Sequence, residues 1–281
     1  MKVGVKVFSA GYCTQLESMV IKGGRYKNVK IPALFALIEH PTKGHILFDT
    51  GYSSHFYEAT KTFPYKLHAW LIPVFCKPEE GPAQQLQAQG IDPRSIESII
   101  LSHFHSDHVA GLKDFPDAQF IYFENAYDAV KGKTGFDAVR RGYLPDLLPS
   151  DLEQRSSVVG DNSVIQLDDD YRPFEQGYDL LGDGSLVAVE LPGHAHGQMG
   201  IFLQDEQGQH VFLAADACWY SQAYRELRYP HPLANLVQAD GKAYKETLKK
   251  LHQLHKHRPD LLIVPSHCPE MQERFAIKDF R

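Results

Sequence analysis

His103, His105, Asp107 and His108 fall within six consecutive positions, directly after the apolar run Ile99-Ile100-Leu101. A run that short and that apolar reads as a strand buried on both faces. Side chains alternate along extended chain, so His103 and His105 can face one point while Asp107 and His108, at the following turn, face a second. Imidazole nitrogens and carboxylate oxygens are ligands that zinc accepts at about 2.0–2.2 Å. A two-metal site needs its ions only about 3.5–4 Å apart. The chain must therefore build a buried strand that ends at a metal site.

Three further residues close apolar runs in the same way. His194 ends Leu191-Pro192-Gly193-His194, Asp216 ends Leu213-Ala214-Ala215-Asp216, and His267 ends Val264-Pro265-Ser266-His267. Ligands on loops at strand ends, held by a rigid scaffold, are the normal arrangement for binding and catalysis. Together, His103, His105, Asp107, His108, His194, Asp216 and His267 make the set that two ions with one bridging carboxylate require. The bland alternatives are a closed structural zinc site, usually richer in cysteine, and strand-end histidines bonded only to their surroundings.

Strands are expected at Lys2–Phe8, Leu34–Ile38, His45–Phe48, Gln119–Phe123, Ser185–Leu191, Met199–Leu203, His210–Ala214 and Leu261–Val264. Pro82–Gln89 reads as a short helix, with Pro82 suited to its first turn and Gly90 just past its end. Tyr244, Leu248, Leu251 and Leu254 share one face of a second helix, which Pro259 must follow. From Glu124 to about Asp161 the pattern is irregular and reads as an insert over the site. One domain, residues 1–281, is expected, and the alternation of strands with helices favours two sheets with helices outside.

Hydrophobic residues make up 43% of the 281 and charged residues 23%, which excludes fibrous and disordered classes. The net charge of −6 is spread along the chain and offers no basic stripe for nucleic acid. No apolar run approaches the roughly 18–20 residues of a membrane span. The N-terminal stretch lacks the apolar core of a signal peptide. The four cysteines form no CxxC pair, which fits reduced thiols and a cytoplasmic location. Nothing in the sequence speaks to oligomeric state.

The ordered set resembles the metallo-β-lactamase superfamily. The HxHxDH signature stands at His103–His108, and the Gly-His pair, the strand-end Asp216 and the final His267 follow in family order. The Asp49-Thr50-Gly51 loop also fits, so the likeness runs from about residue 30 to residue 268. It implies the α/β class and an αββα four-layer sandwich of two mixed β-sheets flanked by helices, with the site at one edge of the sheets. By the same resemblance, His103, His105 and His194 would hold one metal. Asp107, His108 and His267 would hold the second, with Asp216 bridging. Zinc is the expected ion, with iron, manganese and cobalt as alternatives for such a site.

His105, where a glutamate would stand in the flavodiiron oxygen reductases, points away from them. Asp216 stands where the secreted zinc β-lactamases carry cysteine. Size, the insert and Asp216-Ala217-Cys218 look most similar to the acyl-homoserine-lactone lactonase group. That implies a small-molecule lactone or ester substrate, opened by a metal-bridging hydroxide, with Asp107 or Asp216 moving the leaving-group proton. Two positions depart from the group. Its tyrosine three residues after the bridging aspartate is Trp219 here, so the neighbouring Tyr220 is the candidate carbonyl polariser. The run Gly-His-x-Pro-Gly-His reads Gly193-His194-Ala195-His196-Gly197-Gln198, which leaves His196 as a pocket residue or a solvated one.

Three other readings stay open. One is a thioester hydrolase resembling glyoxalase II, with Lys249-Lys250 and Lys256–Arg258 as the basic patch for glutathione carboxylates. A small-nucleotide phosphodiesterase and a metal-loaded binding or sensing protein are the others. His252, His255 and His257 sit on a Lys-rich helix and read as a solvated face. The aromatic residues of Phe63–Phe75 either line an apolar pocket wall or pack in the core.

Overall fold

The computed structural model describes residues 1–276, so the last five positions of the expected domain lie outside the described residues. Thirteen strands form two sheets. In the first, β4 (Val74–Phe75) pairs with β1 (Gly4–Leu16), followed by β2 (Asn28–His40), β3 (Gly44–Phe48), β5 (Ile96–Ile100), β6 (Gln119–Phe123) and β7 (Ser156–Val159). Strands β4, β1, β2 and β3 pair antiparallel, whereas β3, β5, β6 and β7 run parallel.

The second sheet has the order β13 (Leu262–Pro265), β12 (His210–Ala215), β11 (Met199–Gln204), β10 (Val187–Glu190), β9 (Gln176–Asp179) and β8 (Val164–Gln166). Only its β12–β13 pair is parallel.

The period of two along each strand builds the layers. In β2, Leu34, Ala36 and Ile38 join Ala188, Ile201 and Leu213 between the sheets, while Phe35 and Leu37 turn outwards to Phe56, Leu86 and Leu112. In β10, Ala188 faces the first sheet, while Val187 and Val189 meet Leu248, Leu251 and Leu254 of the helix Gly241–His257. Both sheets are thus mixed, packed face to face and covered by helices, which is the αββα sandwich.

The strands expected from the sequence are all present, with shifted ends. The first runs on to Leu16 past an irregularity between Ser9 and Tyr12, and Pro82–Ala88 is helical with Gly90 at φ +79° beyond it. Strands β4, β7, β8 and β9 have at most four residues and lie in no long apolar run, so no local pattern announces them. Residues 124–161 do more than insert: Leu144, Leu147 and Leu152 are buried in the outer core of the first sheet, and β7 forms that sheet's edge. Phe63, Trp70 and Phe75 are 66%, 64% and 47% exposed, so these three do not pack in the core. Among the described residues, no helix is long and apolar enough to cross a membrane.

Leu251 sits fully buried in the layer that fastens the helix to the second sheet. Truncating such a leucine costs its transfer energy plus the cavity left behind, so Leu251→Ala is expected to destabilise the fold by about 2–5 kcal/mol. Urea unfolding checks this as a fall in midpoint at unchanged slope.

Candidate metal centre

The carboxyl ends of β3, β5, β10, β12 and β13 lead to Asp49, His103, His194, Asp216 and His267 respectively. Beyond β3 the backbone turns sharply, with Asp49 at φ +59° and Gly51 at φ +67°. A side chain at Gly51 would place its Cβ 2.6 Å from that of Ala10, so the turn demands glycine on space as well as conformation. The Thr50 hydroxyl donates to the His108 carbonyl at 2.9 Å and accepts from the Gly111 N–H at 3.0 Å. These bonds clamp the loop after β3 to the histidine-rich loop after β5.

Asp49 is wholly buried. It accepts from the Ser102 N–H at 2.8 Å, the Ser102 hydroxyl at 2.7 Å and His108 Nδ1 at 2.7 Å. His267 Nδ1 donates to the Pro32 carbonyl at 2.7 Å, and His103 Nδ1 lies 3.0 Å from the Ser102 hydroxyl. Each of these rings is held through one nitrogen, which orients the other for a ligand.

The structure brings all seven expected residues together. Ligand atoms of His103, His105 and His194 lie within 4.8 Å of one another, as do those of His103, His108 and Asp216, and those of Asp107, His108 and His267. Asp216 stands in the middle. Its Oδ1 is 3.3 Å from His108 Nε2, and its Oδ2 is 3.2 Å from His194 Nε2 and 3.0 Å from His267 Nε2. Ala215, the residue before it, holds φ at +46°, a strained conformation that costs about 1–3 kcal/mol and aims the carboxylate.

Charge divides the cluster in two. Burial, reinforced by neighbouring histidines, pushes His103 well below the usual imidazole range, and burial and then His194 push His105 down to about 3. Burial also lowers His194. Burial favours the neutral form of all three rings, and His194 Nε2 lies 2.9 Å from His105 Nδ1. Burial would lower His108 too, but Asp49, Asp216 and Asp107 outweigh it and hold that ring up at about 10. Asp216 and Asp107 likewise lift His267 well above its ordinary value against burial. Burial would raise the two carboxylates, yet the surrounding histidines keep Asp107 and Asp216 below the usual carboxylate range.

Divalent metal ions fit this arrangement. His103 Nε2, His108 Nε2 and His194 Nδ1 are buried with no hydrogen-bond partner. An unmet polar atom in the interior costs about 1–3 kcal/mol, and here such atoms cluster around two carboxylates. His103, His105 and His194 suit one ion, Asp107, His108 and His267 another, with Asp216 between them.

The Trp219 indole N–H donates to Asp216 Oδ2 at 3.2 Å. Tyr220 makes no hydrogen bond to any of the seven among the described residues; it packs into the apolar layers with its hydroxyl raised to about 12, chiefly by burial. The chain thus puts an indole, not a phenol, against the cluster. His196 is exposed and lines a cavity of about 490 Å³ that opens onto His105 and His194. The basic residues near the C-terminus lie elsewhere, with Lys249 paired to Glu246 and Arg258 to Asp170 and Asp260. His252 and His257 are engaged by the backbone carbonyls of Tyr224 and Asp169, and His255 packs on the Tyr224 ring.

Two residues that orient the cluster, Asp49 and Ser102, were not singled out as such from the sequence. The signal was an aspartate at a strand end before Thr-Gly, but its partner lies 59 positions away at His108. Asp49→Asn removes the charge that holds His108 while keeping the side chain's shape. Metal affinity is expected to fall about 10–100-fold, read by competition with a chromogenic chelator. Unchanged affinity would refute that orienting role.

Comparison with known proteins agrees with this geometry. N-acyl homoserine lactonase AttM of Azorhizobium caulinodans is 26% identical over 93% of this chain and 91% of its own length. AttM of Agrobacterium fabrum is 25% identical with the same coverage. The solved structure of an N-acyl homoserine lactone hydrolase, with the product N-hexanoyl-L-homoserine at its catalytic metal centre, superposes with a TM-score of 0.72 at 20% identity, covering 98% of this chain and 97% of that one. The dizinc quorum-quenching lactonase AidC gives a TM-score of 0.64 at 17% identity, covering 96% and 90%. Residues 32–267, from the middle of β2 to the last histidine of the cluster, match the family described as the Metallo-beta-lactamase superfamily, and the chain belongs to that superfamily.

Proposed function

We propose that the chain is a dinuclear metal-dependent lactonase that opens acyl-homoserine lactones or close ester relatives. The convergence of His103, His105 and His194, and of Asp107, His108 and His267, around Asp216 carries this reading. Relatives that share this chain from end to end and are named N-acyl homoserine lactonases support the substrate class. Zinc is the preferred ion for the N/O donor set. Four buried, unpaired cysteines support a reducing, cytoplasmic compartment.

When bound, a pair of such ions supplies a water acidified towards about pH 7 and Lewis-acid polarisation of a carbonyl. The chain's own residues do the rest. Asp49 and Pro32 fix the rings of His108 and His267, so the ligand geometry is set before substrate arrives. Trp219 holds Asp216 Oδ2, which keeps that carboxylate central. Asp107 is the more exposed of the cluster's carboxylates, with 17% of its side chain open, which suits it to carry a proton towards the leaving alkoxide. The cavity beside His105 and His194 receives the part of the substrate away from the ring being opened.

The reading is tested by proton release from N-hexanoyl homoserine lactone, with a thioester and a phosphodiester as controls, before and after chelation. Lactone turnover that the chelator abolishes and added zinc restores is expected. Removal of one ligand in His105→Ala should cost more than about a hundredfold in kcat/KM, with the circular dichroism spectrum retained. Preferential cleavage of the thioester or the phosphodiester would overturn the substrate assignment.

A further inference from the structure

The cavity that opens onto His105 and His194 has a wall that an alkyl chain alone does not explain. Phe104, Val130 and Val237 give it apolar surface, but Arg140 and Arg141 also line it, and no aspartate or glutamate does. Both arginines end the helical segment Gly135–Arg140 and its cap, immediately before Gly142. Gly142 lies so close to His105 that a Cβ there would stand 3.0 Å from the imidazole Cδ2, and its carbonyl accepts from the Ser106 N–H at 3.0 Å. The basic pair is therefore fastened directly to the metal-binding loop.

The arginines are under-employed. Asp137 is their shared carboxylate, 3.2 Å from Arg141 Nε and 3.9 Å from Arg140, and it also meets Lys133 at 3.3 Å. Three cations thus lean on one anion. Among the described residues, the Arg141 side chain donates a hydrogen bond only through Nε, and the Arg140 side chain donates none. A second polar group waits at the same wall. Gln238 is 8% exposed, and both ends of its carboxamide are buried without a partner. The segment carrying it is tied to the cluster by the Ala239 N–H, which donates to the His194 carbonyl at 3.0 Å.

We infer that this cavity is a recognition site for a carboxylate borne by the acyl part of the substrate, read by Arg140 and Arg141. The assignment rests on the lactonase reading for the ring that is opened and adds the chemistry of the group attached to it. A guanidinium presents paired N–H donors that match the two oxygens of a carboxylate. Arg141, with 30% of its side chain exposed, is the better desolvated of the two, and Arg140, 76% exposed, adds its charge at the mouth. The apolar wall takes the methylene spacer, and the unpartnered Gln238 carboxamide is available to an amide in the chain. The preferred substrate is then a lactone or ester whose acyl chain ends in a carboxylate, not in a methyl group.

Binding and turnover test this separately, using metal-replete protein. Calorimetry compares N-methyl adipamate, an amide with a terminal carboxylate, against neutral N-methyl hexanamide. The carboxylated probe is expected to bind about 10–100-fold tighter, with the preference shrinking as salt rises. Arg140→Gln with Arg141→Gln should erase that preference, whereas Asp137→Asn, which frees both arginines, should enlarge it. The opposite signs separate recognition from a merely structural effect, which would weaken both variants. A preference that survives loss of both arginines would place the carboxylate elsewhere and overturn the proposal, as would no preference in the unaltered protein. Turnover of adipoyl and hexanoyl homoserine lactones gives the second readout, and the ratio of their kcat/KM values should follow the binding ratio across the same variants. Silence on both lactones would defeat the lactonase reading, while the calorimetric preference would still decide the carboxylate site.

Discussion

Asp49 is a carboxylate without access to water, and a buried charge is tolerated only when its oxygens are fully engaged. Its partners are the Ser102 N–H, the Ser102 hydroxyl and His108 Nδ1. That requirement joins the ends of β3 and β5 and sets the orientation of the ring at the centre of the cluster. Gly51 and Thr50 serve the same join, one by allowing the turn and the other by clamping the His108 carbonyl. The histidine-rich loop is thus built into the carboxyl ends of two interior strands of the first sheet, not laid over them.

The second sheet contributes by a different means. His194, Asp216 and His267 come from three of its strands, and each reaches the cluster because β10, β12 and β13 are held in register by packing on both faces. The strained φ at Ala215 is sustained by that surrounding structure, in keeping with strain concentrating at functional sites. Where the two sheets meet, the electrostatics are asymmetric. Desolvation dominates at His103, His105 and His194, whereas carboxylates dominate at His108 and His267. A single cluster is therefore shaped by burial on one side and by carboxylate charge on the other.

The surroundings of the cluster separate this chain from a plain transfer of the lactonase pattern. Trp219 donates to Asp216 and has no second donor for a substrate carbonyl, while Tyr220 lies in the apolar packing. The cavity beside His105 carries arginines and a glutamine among its apolar residues. Both differences sit in segments that touch the cluster directly, Trp219 at Asp216 and Gly142 at His105.

The sequence by itself determined which residues gather in the cluster and most of the long elements. Ile99 to His108 declares a strand and its histidine-rich loop within ten positions, and the apolar runs of β2, β10, β11 and β12 stand out as buried strands. The helix carrying Leu248, Leu251 and Leu254 is legible too, since one face repeats over several turns. Strands of two to four residues such as β4 and β8 carry no such pattern. Only tertiary structure decided what surrounds the ligands. The partnership of Asp49 with His108 spans 59 positions, that of His267 with Pro32 spans 235, and the placement of Arg141 on the same cavity wall as His105 depends on how the chain between them folds. Local sequence encodes periodicity and ligand type, because those repeat along a strand or helix. Which distant groups share a desolvated site is set by the packing of two sheets, and no local pattern records it.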